Sequence, residues 1–313
     1  MKKIVLLLLG LMLLLVQHYV TPISTNTQYV IFIIGILLLG VPHGAADLLV
    51  AARNADLSEK TFSQKKFFVV YLGRLFLFGV VLFFFPVAGN ILFIFFAAYH
   101  FGETDLYQFK TNTITGKIFV ISYGLVILSV ILLHHFDEVK PIYQLFESGR
   151  ENQAVINWIS QNRYYILFAN GSIFFIAAFI YFLNNNDPDN TDTGQFLVRF
   201  ACILFILFNL PMLLGFTFYF VVWHSLLSLN NIVSYLRKKN TVSYKIITKQ
   251  ILLYSITAIT GIGLFGLTGF MFINENAVAG YIFLGLAVLT APHMEIMYGM
   301  YGAIRQKRHE ILN

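Results

Sequence analysis

Apolar runs of about twenty residues recur from one end of this chain to the other, and nothing else narrows its fold so much. A run of that length, coiled as an α-helix, crosses ~30 Å of hydrocarbon. Inside a bilayer the backbone has to satisfy its own hydrogen bonds, which an isolated helix does and an isolated strand does not. Reading the runs against polar breaks predicts about ten spans, near 3–20, 28–51, 67–86, 90–109, 116–136, 164–183, 196–214, 215–236, 246–272 and 277–302. The seventh and eighth are separated only by Pro211 and Gly215, which mark either a tight turn or a kink. The expected fold is therefore all-α: a polytopic transmembrane helical bundle of eight to ten spans.

Composition leaves little for anything else. Only 12% of the 313 residues are charged, about half the share in a soluble domain, and the mean hydropathy is +0.74. A single integral-membrane domain over 1–313 is expected. The start, MKKIVLLLLGLMLLLV, has the charge and apolar run of a signal peptide, but no A-x-A-like cleavage site follows in QHYVTPIS. Helix 3–20 is read as an uncleaved signal-anchor. One cysteine, Cys202, excludes an intrachain disulfide and a cysteine-based metal or redox site.

The net charge of +6 reports on topology, not on nucleic acid. With ten spans and a cytoplasmic N-terminus, sixteen Lys and Arg fall on the inside; only Lys140, Arg150 and Arg163 fall outside. Both termini are expected to be cytoplasmic, in a multi-pass protein of the cell membrane. The break at 137–163 predicts a short amphipathic helix on the outer face, carrying Ile142, Leu145, Phe146 and then Val155, Ile156 and Trp158. The Asn/Asp-rich 184–194 predicts a flexible loop.

Four histidines interrupt the apolar runs: His43 in GVPHGAADLL, His100 in AAYHFGETDL, His224 in VVWHSLLSL and His293 in TAPHMEIMYG. An ionisable side chain in hydrocarbon is expensive, so each is a functional candidate. All four fall on even-numbered spans, which run in one direction. His43 and His293 lie about sixteen residues into their helices and His100 and His224 about ten, a spread of ~9 Å at most that tilt absorbs. Nothing in this spacing prevents four imidazoles from meeting at one point.

Their surroundings suit that. Pro42 and Pro292 loosen the helix beside two of them. Gly40, Gly44 and Gly102 permit close helix approach. Metal-bound histidines usually donate their second N–H to a carboxylate or carbonyl. Asp47, four residues after His43, and Glu103, three after His100, are placed for that, and Asp105 is placed to serve a neighbouring helix. Neutral imidazoles suit Fe, Cu, Zn or Ni. Iron(II) on four histidines keeps two positions for O₂ and substrate, which suits oxidative chemistry on a lipid-soluble molecule. The chain has no HExxH and no clustered desaturase-type histidines. An intramembrane metal or proton transporter with Asp47, Glu103 and Asp105 as relay groups, or a non-enzymatic carrier of a lipid-soluble ligand, is the alternative. His18, His134, His135 and His309 are read as interfacial, and Arg74 and Arg199 as snorkelling or paired.

Together GVPHGAADLL, YHFGETDL, WHS and APHMEIMYG resemble the Brp/Blh family of integral-membrane β-carotene 15,15′-dioxygenases, over motif-bearing helices from about 40 to 300. The resemblance implies cleavage of β-carotene at its central double bond by O₂ to give two all-trans-retinal, which then supplies a rhodopsin. It also implies that His43, His100, His224 and His293 hold Fe(2+). Membrane lipid is the expected surrounding and nucleic acid is not an expected partner.

Overall fold

The computed structural model describes residues 2–144, 150–184, 190–237, 242–270 and 278–312. Among them there is no strand, and the chain is an all-α bundle in which six helices are long and apolar enough to cross a membrane. In chain order the helices are α1 (Lys2–Leu15, continued over Val16–Val20), α2 (Thr25–Leu57), α3 (Gln64–Phe84), α4 (Pro86–Asp105) and α5 (Ile114–His134). There follow α6 (Phe136–Gln144), α7 (Arg150–Asn184), α8 (Asn190–Asn209), α9 (Met212–Leu236), α10 (Tyr244–Phe270) and α11 (Val278–Leu312). Six of them, α1, α2, α3, α5, α7 and α9, meet both the length and the hydropathy of a membrane span. The ten expected runs map in order onto α1–α5 and α7–α11.

The helix boundaries follow from local chemistry. Ser24, Ser63 and Thr113 cap α2, α3 and α5 by accepting the N–H of Thr27, Lys66 and Gly116. Pro86 opens α4 at a position where its missing N–H costs nothing. Pro211, extended at ψ 150°, separates α8 from α9, whereas Gly215 lies inside α9. Of the two candidate breakers, only the proline breaks the chain.

Three expectations about loops change. Helix α7 begins at Arg150, well before 164, so Val155, Ile156 and Trp158 extend a long helix instead of forming a separate amphipathic one. Its neighbour α6 does carry Ile142, while Leu145 and Phe146 lie outside the described residues. The loop at 184–194 is shorter than expected, because α8 already starts at Asn190; residues 185–189 lie outside the described set.

Helix α5, enclosed to the same degree as α9, is packed between α4 and α7. It crosses α4 with backbone against backbone. A Cβ on Gly102 would sit 2.0 Å from the carbonyl oxygen of Val120, and one on Gly124 would sit 1.9 Å from that of Ala98. Only glycine fits either place. Gly40 and Gly44 have no such role: an added Cβ meets only Ile36 of its own helix or nothing within 4 Å. Phe119, Tyr123, Phe174, Tyr181, Phe196 and Phe200 fill the adjoining core between α5, α7 and α8. Helix α11 packs on α3, α4 and the end of α2, and α10 packs on α2 around His43. Phe168, Phe175, Ile176 and Phe179 of α7 and Phe76, Leu77 and Phe83 of α3 face outward, as helices in lipid do.

Helices α2 and α9 are irregular where they approach each other. Residues Ile36–Gly40 of α2 and Thr217–Ser225 of α9 form widened i→i+5 turns, and the two segments are in contact. The Ser225 hydroxyl donates to the carbonyl of Phe220, five residues back, at 2.8 Å. Helix α2 then breaks at Ala46 (ψ −8°) between Val41–Ala45 and Asp47–Leu57. One of these distortions precedes His43 and the other ends beside His224.

Candidate metal centre

The four intramembrane histidines come from α2, α4, α9 and α11 and meet in one buried cluster. His43, His100, His224 and His293 are 4%, 2%, 0% and 8% exposed. His43 Nε2 lies 2.8 Å from His293 Nε2, and His224 Nε2 lies 3.1 Å from His100 Nε2. The pairs are joined to each other: ring centroids are 4.9 Å apart for His100 and His293, 5.3 Å for His43 and His224, and 5.9 Å for His43 and His100. Ligand atoms of His43, His100 and His224 all lie within 4.8 Å of one another.

This donor set fits a metal ion. Two nitrogens bound to one ion at ~2.1 Å and at right angles are about 3.0 Å apart, close to both Nε2 pairs. Asp47 strengthens the fit. Its Oδ1 accepts from Nδ1 of His293 at 2.7 Å, so the His293 proton is on Nδ1 and its Nε2 lone pair faces the cluster. An ion among His43, His100 and His224 would give their lone pairs an acceptor, with His293 Nε2 2.8 Å from that of His43. No hydrogen-bond partner is found among the described residues for Nδ1 of His43, His100 or His224.

The three carboxylates take different places. Asp47, 3% exposed, serves His293 across the bundle rather than His43 of its own helix, and its Oδ2 accepts from the Tyr71 hydroxyl of α3 at 3.0 Å. Among the described residues, Glu103 bonds to no histidine. Its Oε1 receives Arg305 Nη2 of α11 at 2.9 Å and the Tyr99 hydroxyl at 3.3 Å. Asp105 also stands apart from the imidazoles. A single oxygen, Oδ2, accepts from the hydroxyls of Tyr123 at 2.8 Å and Tyr219 at 3.0 Å and from Trp223 Nε1 at 3.0 Å. It ties α4 to α5 and α9 immediately beside His224. A buried carboxylate needs such donors, but their location in the sequence carries no local signal. Sequence reasoning therefore misses Tyr71, Trp223, Tyr219, Tyr123, Tyr99 and Arg305; the adjacency of Trp223 to His224 and of Tyr99 to His100 is a local signal for two of them.

Aromatic rings wall the cluster on the α4 and α9 side. Phe101 and Phe220 lie 4.7 and 6.1 Å from the His224 ring, the latter stacked at 11°. Other charges pair with each other and not with the histidines: Arg74 of α3 with Glu295 of α11, and Arg163 of α7 with Asp137 at the start of α6. His18 and His135 bond backbone carbonyls of Asn209 and Leu207 at the junction of α8 and α9.

No curated protein and no solved structure matches this chain. A family model does, over residues 34–301, a stretch that contains all four histidines and the three carboxylates. The family is described as beta-carotene 15,15′-dioxygenase, and the matched stretch is far more than half of the chain. With its four converging histidines inside that stretch, the chain belongs to the beta-carotene 15,15′-dioxygenase family, the Brp/Blh type.

Proposed function

We propose that the protein cleaves β-carotene at its central 15,15′ double bond with O₂, giving two molecules of all-trans-retinal that supply a retinal-binding rhodopsin. The observation that carries this reading is the meeting of His43, His100, His224 and His293 at one buried point within the family-matched segment. These four side chains are the proposed ligands of Fe(2+). Iron(II) bound there supplies the binding and activation of O₂. One O₂ balances the reaction: one carbon–carbon double bond breaks, each carbon gains one oxygen, and no reductant is consumed.

The chain's own residues do the rest. Asp47 holds His293 in the tautomer that turns Nε2 inward, and Tyr71 holds Asp47. Phe101 and Phe220 give the site an apolar wall that excludes water and suits a polyene. Asp105 fixes α9 against α4 through Trp223. No acid or base is needed for the balance above. A site inside the bilayer receives a wholly apolar substrate without passage through water. The reading carries with it a single domain in the cell membrane with both termini cytoplasmic.

The test is retinal, extracted and quantified from bacteria that accumulate β-carotene and express this chain, beside a His293→Ala control. Retinal with loss of orange colour in the wild type alone is expected. Intact β-carotene and no retinal, with folded protein in the membrane, refutes the assignment.

A further inference from the structure

Helices α3, α4 and α11 enclose a groove of about 630 Å³, within the range of small-molecule sites. Three observations give it an occupant. It runs along the two helices that carry His100 and His293, and Tyr99 and Met294, the chain neighbours of those histidines, line it. Phe96, one helical turn before His100 and so on the same face, is also in its wall. Second, it opens toward lipid past Leu77 and Leu92, 63% and 43% exposed, so a molecule dissolved in the bilayer reaches it sideways. Third, its polarity is graded. Val81, Leu92 and Ala291 line one end; Arg74, Glu295 and Lys117 line the other. The two ends are seven residues apart on α3 and four on α11, roughly 10 Å and 6 Å at ~1.5 Å per residue. Arg74 and Glu295 form an ion pair from one wall to the other, with both side chains about half exposed (47% and 54%). Charges set in spanning helices are costly unless they have a task.

We propose that this groove seats one arm of a hydrocarbon carotenoid, its polyene and end ring packed along Leu77, Phe78, Val81, Phe96 and Ala291, with the Arg74–Glu295 pair as a charged stop that the ring does not pass. The proposal rests on the carotenoid-cleaving reading and locates its substrate. The stop sets how far the arm slides, and therefore which double bond lies at the histidines.

The test fills the groove from α3, which carries none of the four histidines. Val81→Trp is expected to lower retinal in β-carotene-accumulating bacteria at least tenfold, with metal per protein and melting temperature unchanged. In a His293→Ala background it is expected to lower co-purifying carotenoid to a similar extent. Ile176→Trp, on the lipid-facing side of α7 and 60% exposed at the wild-type residue, serves as the bulk-matched control. If Val81→Trp fails to fold, Leu92→Trp fills the same space from α4. Equal retinal from wild type and a folded groove-filled variant overturns the groove alone. No retinal from the wild type overturns the functional reading, and the groove's occupant with it.

Discussion

Replacing Asp47 by Asn tests whether this carboxylate supports a metal ligand or merely fills space. Asp47 Oδ1 receives His293 Nδ1 at 2.7 Å and Oδ2 receives the Tyr71 hydroxyl at 3.0 Å, in a residue that is 3% exposed. Asn is nearly isosteric but neutral, and it has one acceptor oxygen where Asp has two. It can satisfy His293 or Tyr71, and its NH₂ faces the other. Loss of a carboxylate behind a histidine ligand typically weakens metal binding by about 10–100-fold, equivalent to ~1.4–2.7 kcal/mol. Asp47→Ala leaves both donors unpaired at about 1–3 kcal/mol each, so it is expected to cost stability as well. Tyr71→Phe keeps the His293 contact and removes only the outer donor, with a smaller loss of affinity. The assay is chelator competition for iron(II) with purified protein in detergent, alongside thermal melting. Wild-type metal affinity in a folded Asp47→Asn variant would refute the support role.

Other expectations concern packing, charge and metal removal. Gly102→Ala or Gly124→Ala forces a Cβ to within 2.0 or 1.9 Å of a backbone carbonyl; each is expected to lower stability by at least ~1–3 kcal/mol, read as the melting temperature of solubilised protein. Gly44→Ala, where an added Cβ meets nothing within 4 Å, should leave it nearly unchanged. Arg74→Leu strands Glu295 in a spanning helix, so the single variant should melt below the Arg74→Leu/Glu295→Leu double variant; melting scans of all four members of that cycle check it. Chelation of iron is expected to lower the melting temperature of the wild type, since a ligand that binds only the folded state stabilises it. The same treatment should move a His43→Ala/His224→Ala variant less.

The fold and the four histidines were legible because both are written in hydropathy. An imidazole inside an apolar run is visible as an exception, and ten runs in alternating directions place the even-numbered ones in parallel. The partners of the carboxylates were not legible. Asp47 follows His43 by four residues, which on a regular helix puts both on one face. Helix α2, however, breaks at Ala46 between them, and Asp47 turns to His293 of α11. Glu103 stands three residues from His100, but the charge of Arg305 arrives from α11 and takes its oxygen instead. Gly40 and Gly102 look alike in sequence; only Gly102 meets a neighbouring backbone, because only α4 lies against α5 there. Contacts between helices distant in the chain decided each of these cases.

The widened turn in α9 makes the position of His224 a matter of counting. Over Thr217–Ser225 the helix accommodates more residues per turn than an α-helix does. Each residue of a regular helix advances the azimuth by about 100°, so deleting one residue from the regular turn Met212–Phe216, with the widened stretch kept, would swing everything beyond it round the axis by about that much. The shortened segment would be as apolar as before and would still span the membrane. Its histidine, however, would face away from the other three, so hydropathy is blind to a specification that residue number alone carries.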